Sequence, residues 1–363
     1  MYRPTTEAEL AAIISAAREP LHIVGGGTRG VHTAGAPLET SALSGITLYE
    51  PGAMTMVVKA GTPVAEIEDA LARENQRLAF EPMDHRRLLG RTGTPTIGGV
   101  MAANVSGPRR ISVGSARDFL LGVRYVDGMG RTIKNGGRVM KNVTGYDLVK
   151  LMAGSFGTLG VLSEISMKVL PCPETEATLV LHGLEDGAAI STLARALGSP
   201  FEVTGAAHDP SQKQTSLRVE GFRASVHYRT GALQNLLSVA DMTVLDADAS
   251  AAHWCAIRDV DWFKDVAGDL WRVSCKPSDG PVLAARAGAQ GVLYDWAGGL
   301  IWLRCAVGHD VRAALGDYDG HATLVRGDGF ARFEPESAAL ARLTSGLRTR
   351  FDPRGILNAG LMG

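Results

Sequence analysis

The chain has 363 residues, 45% of them apolar and 21% charged, with a formal net charge of −1. That length exceeds what one hydrophobic core usually holds, so two domains are expected. The near-zero charge gives no basic footprint for nucleic acid or an anionic membrane. Its four cysteines (Cys172, Cys255, Cys275, Cys305) are scattered and form no C-x-x-C pair. This excludes a recognisable zinc or iron–sulfur motif and points to reduced thiols in the cytoplasm. Nowhere does an apolar run approach the roughly 20 residues of a membrane span. The first residues are broken by Glu7, Glu9, Arg18 and Glu19 and do not read as a signal peptide.

In chain order, Thr6 and Glu9 make a capping-box pair ahead of Leu10, Ile13, Ile14 and Ala17, one apolar helix face. Pro20 ends that helix, and Leu21-His-Ile-Val24 reads as a short buried strand. Next comes Gly25-Gly-Gly-Thr-Arg-Gly30, a formal G-x-G-x-x-G. A nicotinamide-binding Rossmann unit needs a helix directly after those glycines. The segment after Gly30, VHTAGAPLETSALSG, has no helical period. The glycines therefore fit a loop of successive backbone N–H groups between two strands, suited to an anion. Met54–Ala60 is the next strand, and Thr62 is expected to cap a helix with Pro63 at its first position.

Residues 91–170 are the most glycine-patterned part of the chain. Thr94, Thr96 and Ser106 supply hydroxyls there. Gly93, Gly98, Gly99 and Gly107 remove side chains where a backbone approaches a ligand. Gly98–Asn104 reads as a short helix whose N-terminus faces the loop and favours an anion. Phe119–Val126 and Arg131–Lys134 form a hairpin about Asp127-Gly-Met-Gly130, and Asp147–Met152 is a helix. Lys141 and Asp147 are candidates for an internal ion pair positioning the loop between them.

Beyond Pro173, Thr178–Leu184, Gly187–Leu197, Phe201–Ala207, Leu217–Glu220, Ala224–Ala240 and Met242–Leu245 run β-α-β-β-α-β, a ferredoxin-like order. The order recurs over Leu270–Cys275, Pro281–Ala287, Gly291–Asp295, Leu300–Cys305, His309–Leu315 and His321–Val325. Glu336–Arg350 is an amphipathic helix carrying Ala339, Leu340, Leu343 and Leu347.

These motifs together carry a family resemblance. The segments IVGGGT, GTPTIGGVMAAN, VGSARDFLLGVRYVDGMG, KNVTGYDL, GSFGTLGVLSEISMKVLP and FDPRGILNAG resemble the FAD-binding domain of the vanillyl-alcohol-oxidase/PCMH flavoprotein superfamily. With GGVMAANVSGPRR and DGHAT, the chain is similar to the FAD-binding E subunits of bacterial glycolate oxidase (glycolate dehydrogenase). The implied fold is α+β. A PCMH-type FAD-binding domain of two α/β subdomains (1–173) precedes a ferredoxin-like cap domain (174–330). A C-terminal helix and tail (331–363) return to the first domain.

The resemblance implies FAD contacts position by position. Gly25, Gly26, Gly27 and Thr28 match the first pyrophosphate loop. Gly93, Thr94, Thr96, Ile97 and Gly98 match the second, continued by Ala103, Ser106 and Gly107. Gly114 matches a flavin-contact glycine, Gly160 and Val161 the adenine end, and Asn358 the C-terminal asparagine near the flavin. The proline usual after that asparagine is Ala359 here. Thr28 stands where members with covalent flavin carry His, so non-covalent FAD is expected.

Relatives that oxidise 2-hydroxy acids unaided carry an H-x-G-D-G-N-x-H-like metal set, of which only Asp319-Gly-His-Ala322 remains. No metal is therefore expected. His321 is the one base in a motif-like setting and the candidate catalytic residue. The competing reading, that it packs at a sheet end, is preferred. Arg326 or Arg332 could take a carboxylate. With neither a substrate anchor nor clustered cysteines, the chain is expected to work as a subunit. Its partners would be a catalytic FAD subunit and an iron–sulfur subunit of a complex oxidising a small 2-hydroxy acid. It would be cytoplasmic, reaching the inner face of the membrane through partners. Their interface is expected around Trp254, Trp262, Phe263 and Trp271. The alternatives are a stand-alone FAD oxidoreductase of another hydroxy acid or alcohol, and a scaffold subunit whose flavin site is structural or empty.

Overall fold

Alternating burial along Val161–Lys168 and near-continuous burial along Thr55–Lys59 mark two neighbouring strands of one sheet. The computed structural model describes residues 1–138 and 145–362, so Lys141, and with it the expected Lys141–Asp147 pair, lies outside the described residues. In chain order the strands are β1 (Leu21–Val24), β2 (Ala36–Glu39), β3 (Ile46–Glu50), β4 (Thr55–Lys59), β5 (Gln76–Arg77), β6 (Leu120–Val126), β7 (Thr132–Gly136), β8 (Val161–Lys168), β9 (Leu170–Pro171), β10 (Thr175–His182), β11 (Val203–Asp209), β12 (Gln214–Gly221), β13 (Met242–Leu245), β14 (Asp269–Cys275), β15 (Gly291–Asp295), β16 (Leu300–Cys305) and β17 (Gly320–Arg326). β1 and β2 pair in parallel, and β3-β4-β8-β6-β7 form a five-stranded sheet. An eight-stranded sheet runs β13-β10-β12-β11-β15-β16-β14-β17. The fold class is α+β.

The eight-stranded sheet explains the sequence repeat. Each half is a β-α-β-β-α-β unit in which the first and third strands are central. The halves join edge to edge through β11 and β15, with His208 opposite Tyr294. Joining the two edges covers a row of backbone groups that would otherwise be exposed. One helix of this region went unread. Ala247–Asp259, capped by Asp246, runs between the repeats and buries Trp254 and Ile257. Its alanine-rich ADASAAHWCAIRD run has too narrow an apolar stripe to stand out by period.

Two local expectations change. Thr62 does not cap the next helix. Its hydroxyl donates to the Lys59 carbonyl at 2.7 Å and bonds Gly45, so Pro63 stands at the cap of Val64–Ala72. In the first helix, Glu7–Ala16, Thr6 accepts from the Glu9 amide as expected, but the Glu9 carboxylate turns back to Thr5. The expected partner surface changes more. Trp254, Phe263 and Trp271 are 2%, 5% and 0% exposed, so they are core rather than interface. Trp262 is half-buried against the same packing.

A buried ionic network holds the cap sheet against the first region. Glu220 on β12 accepts from Arg77 at 2.6 Å and from Arg109, and Arg218 lies 3.5 Å from it. Arg218 also forks onto Glu81 with two 2.9 Å bonds, while the Glu81 carboxylate accepts from the Arg109 amide. Burial alone would raise the Glu220 carboxyl, but Arg218, Arg109 and Arg77 override it and hold it down to about 2. Removing one member of such a set strands the other charges in a dry environment. Glu220→Gln is expected to cost about 3–5 kcal/mol in urea unfolding. Because the folded value lies below the unfolded one, the wild-type advantage is complete above about pH 4.5 and fades as pH falls toward 2. Equal unfolding midpoints for variant and wild type at pH 7 would contradict the network's role.

Candidate functional site

The loop 25–30 leaves β1 and crosses to β2 without a helix, as its sequence requires. The amides of Gly25, Gly26, Gly27, Thr28 and Arg29 donate no hydrogen bond within the described residues. Gly27 has φ +68°, which turns these amides into a concave row, and a Cβ there would find only Val24 at 3.9 Å. Successive N–H groups of this kind form an anion cradle. The row opens into a cavity of about 130 Å³, also lined by Thr96, Gly98, Ala103, Phe156, Gly160, Val161 and Asn358.

The other glycines serve the protein itself. A Cβ on Gly26 would stand 1.5 Å from the Thr94 carbonyl oxygen, and one on Gly93 would stand 1.8 Å from the Gly26 carbonyl oxygen. The two loops interlock backbone to backbone, which places Gly93 and Thr94 behind the cavity rather than in its lining. Gly98 is held similarly, its Cβ position 2.7 Å from the Ala60 carbonyl oxygen. The short helix Ile97–Ala102 does not offer its N-terminus to an anion. Ile97 N–H donates to Thr62 O, Gly98 N–H to Ala60 O and Gly99 N–H to Thr96 Oγ1. Ile97 itself is fully buried in the core, and Gly114 (φ +89°) ends the helix Arg110–Val113 outside both cavities. Asn358 acts as a brace. Its side chain accepts from the Ile23 amide at 2.7 Å and donates to the Phe156 carbonyl at 2.7 Å.

A second cavity of about 500 Å³ shares Arg29, His85, Ala103 and Phe156 with the first and lies between the first region and the cap. Ser106 and Gly107 line it from one side, His321, Arg332 and Trp296 from the other. Gly107 O accepts from the Trp296 indole N–H at 3.1 Å, which ties the two walls together. His321 lines the cavity but is exposed at its rim. Burial first, then Arg272, lowers its pKa, so it is neutral and able to accept a proton. The two arginines read from the sequence as carboxylate binders are both engaged. Arg326 is outside the cavity, bonded to the carbonyls of Leu88, Phe263, Val266 and Gly268. Arg332 donates to Gly30 and Val325 carbonyls.

Sequence reading missed Arg29 and His85. Arg29 sits where the cavities meet, donates to Gly99 O at 2.5 Å, and has a buried Nε with no acceptor. Burial draws its pKa down to about 10, so it remains a cation at neutral pH. His85 is held down to about 3 by burial and then by the Arg29 charge, so it is neutral. The only hint was position, Arg29 lying inside the Gly25–Gly30 motif. An unpartnered row of amides ending in an orphaned guanidinium N–H fits the pyrophosphate of a dinucleotide. Among the described residues no cluster of His, Cys, Asp and Glu could hold a metal ion.

Comparisons with known proteins agree with this geometry. The FAD binding domain family matches residues 1–136. The glycolate oxidase subunit GlcE of Escherichia coli (strain K12) is 36% identical over 352 residues, 95% of this chain and 93% of that protein. A D-lactate dehydrogenase of Archaeoglobus fulgidus is 32% identical, over 47% of this chain and 38% of its own length. Among solved structures, an alkyldihydroxyacetonephosphate synthase superposes with a TM-score of 0.73 at 16% identity, covering 99% of this chain and 75% of that one. That likeness is one of fold.

Arg29→Met is expected to weaken FAD binding roughly tenfold to a hundredfold, with the thermal midpoint of the flavin-free protein unchanged. Fluorescence titration of the flavin-free chain with FAD measures this. Unchanged affinity would remove Arg29 from the cradle. Gly26→Val is expected to lower that thermal midpoint as well as flavin retention, because its Cβ meets protein backbone.

Proposed function

Because the chain belongs to the family of the glycolate oxidase subunit GlcE and carries an FAD-binding domain, we propose that it is the FAD-binding subunit of a complex that oxidises glycolate to glyoxylate. The observation that carries this reading is the whole-length relationship, joined to an unpartnered amide row opening on a cavity of about 500 Å³. The partners are a second FAD subunit and an iron–sulfur subunit, which carries the electrons away one at a time.

FAD supplies the acceptor for the hydride from the carbinol carbon. The protein's own residues hold and orient. The amides of 25–29 and the Arg29 guanidinium take the pyrophosphate, while Gly160 and Val161 also line the first cavity. Interlocking of the two loops fixes that cradle before FAD arrives, which limits the ordering cost of binding. Neutral His321 at the cavity rim accepts the hydroxyl proton. The FAD is non-covalent. Thr28 stands at the position where covalent members place their histidine, and acid precipitation is expected to leave the yellow colour in the supernatant.

A surface for a partner is the helix Ala338–Phe351. Leu340, Leu343 and Leu347 lie along it at 55%, 68% and 38% exposure, and the helix buries none of its own residues. It carries Arg342 and Arg350 and no acid, which suits an acidic rim around an apolar patch on the iron–sulfur subunit. No helix among the described residues is long and apolar enough to cross a membrane. Attachment to the inner face of the membrane would run through partners.

Glycolate-dependent dye reduction is expected from the chain co-purified with its partners and not from the FAD-loaded chain alone. Substantial turnover by the isolated chain would instead establish a stand-alone oxidoreductase. Leu343→Asp with Leu347→Asp is expected to leave FAD content intact and to abolish co-purification of the iron–sulfur subunit. Retention of the whole complex would move the interface elsewhere.

A further inference from the structure

The cavity-facing side of the cap sheet is read from its register. Arg272 on β14 lies opposite Trp302 on β16 and Thr323 on β17, and Ser274 lies opposite Leu300 and His321. Strand side chains alternate, so these six share one face. All six line the large cavity. Their chain neighbours Trp271, Val273, Ile301, Leu303, Ala322 and Leu324 point the other way and form the buried core of the cap. A sheet face bearing Arg, Ser, His and Thr across a void of about 500 Å³ is built for a polar occupant rather than for packing.

Two cations of this cavity, Arg272 on the sheet face and Arg110 on the short helix Arg110–Val113, are without acceptors. The guanidinium carbons of Arg110 and Arg272 stand 4.7 and 5.0 Å from the centre of the Trp296 ring. That ring is itself fixed by its N–H bond to Gly107. Among the described residues neither guanidinium meets a hydrogen-bond acceptor or a carboxylate. Of the other arginines of the cavity, Arg258 is engaged with Asp259, Arg332 with carbonyls, and Arg29 through one N–H with Gly99 O while its Nε faces the pyrophosphate cradle's end of the space. The carboxyls nearby make no ion pair with either arginine. Asp118, whose charge acts on Arg110, accepts from the Ser115 amide and hydroxyl at 2.8 Å each. Glu334 is taken by Arg312 at 3.2 Å and by the Ala322 amide at 2.9 Å. Asp295 accepts from the Trp296 amide, and burial pushes its pKa up to about 7. Burial and then the mutual repulsion with Arg110 draw Arg272 down to about 10, which still leaves it charged at neutral pH. Two like charges are thus stacked on one ring, with their planar donor forks unsatisfied.

We propose that Arg272 and Arg110 form a carboxylate clamp for a small 2-hydroxy or 2-oxo acid in this cavity, so that this chain has a substrate site of its own that needs no metal ion. The inference rests on the FAD-oxidoreductase reading above and deepens it. The clamp supplies what the incomplete Asp319-Gly-His-Ala322 motif lacks, a fixed cation for the carboxylate. It also places that anion on the sheet face that carries His321, one residue pair along from Arg272.

The test uses oxalate, a two-carbon dicarboxylate that carries no hydrogen to transfer, titrated calorimetrically into the FAD-loaded chain while the flavin absorption spectrum is followed. One saturable site with a perturbed flavin spectrum is expected. Arg272→Met and Arg110→Met should each weaken oxalate about tenfold to a hundredfold at unchanged FAD content, with Arg272→Lys recovering part of the loss. Absence of oxalate binding to the loaded wild-type chain overturns the proposal, as does unaltered affinity in both Met variants. Loss of FAD instead of oxalate would show that the pair serves the cofactor, and would overturn it too. The complex's glycolate-dependent dye reduction separates the two readings. An active complex whose E-type chain ignores oxalate keeps the function and removes the clamp. A chain that binds oxalate within a complex inert to glycolate keeps the clamp and removes the function.

Discussion

The position of everything near the large cavity depends on one buried carboxylate. Glu220 projects from a cap strand into a pocket of three arginines, two of which, Arg77 and Arg109, belong to the FAD-binding region. Arg218 returns the connection by forking onto Glu81. Each charge is unfavourable alone in that environment and tolerable only with its partners in place, so the network admits one docking of the cap. Arg109 is followed in the chain by Arg110. Fixing the first delivers the second to the Trp296 ring, and Trp296 in turn bonds Gly107 two residues upstream of Arg109.

The arginines in and around the large cavity thus divide into two kinds. Arg77, Arg109, Arg218, Arg326 and Arg332 have acceptors supplied by the protein and hold it together. Arg110 and Arg272 have only the face of an indole, and Arg29 keeps one buried N–H without an acceptor. The buried Nε of Arg77, Arg109 and Arg218 also lacks an acceptor, but those three line neither cavity; unsatisfied donors that do face a cavity mark where a ligand is to supply the acceptor. The unpartnered amides of 25–29 are the backbone form of the same signal, at the other end of the connected space.

The glycine-rich segments illustrate how a correct motif can rest on a different physical cause from the one that suggested it. Spacing put Gly26, Gly93 and Gly98 near a cofactor, and they are near one. Their missing side chains make room for carbonyls of Thr94, Gly26 and Ala60, and within the two interlocking loops Gly27 alone leaves its Cβ position open. The loops are shaped first by each other. A compact cradle results because two backbones in van der Waals contact leave their amides pointing outward.

Much of the architecture was legible in the chain. The apolar periods, the hairpin glycines and the doubled β-α-β-β-α-β order arise from local pattern, since each element carries its own period and stops. Absence of a helix after Gly30 excluded the Rossmann reading for the same local reason, and the motif strings disclosed the flavoprotein family. The helix Ala247–Asp259 escaped because its narrow apolar stripe gives little period, and Trp254 and Trp271, expected at a partner surface, are core because exposure is not a property of residue type. The selection among arginines was beyond the sequence altogether. Arg272 and Arg326 differ only in whether carbonyls from distant segments reach them, and that is decided by how the sheets dock. Local pattern determined the elements and the anion-binding loops, and the family resemblance the cofactor; tertiary structure alone decided which charges were left unpaired, because pairing is a relation between residues as far apart as Leu88 and Arg326.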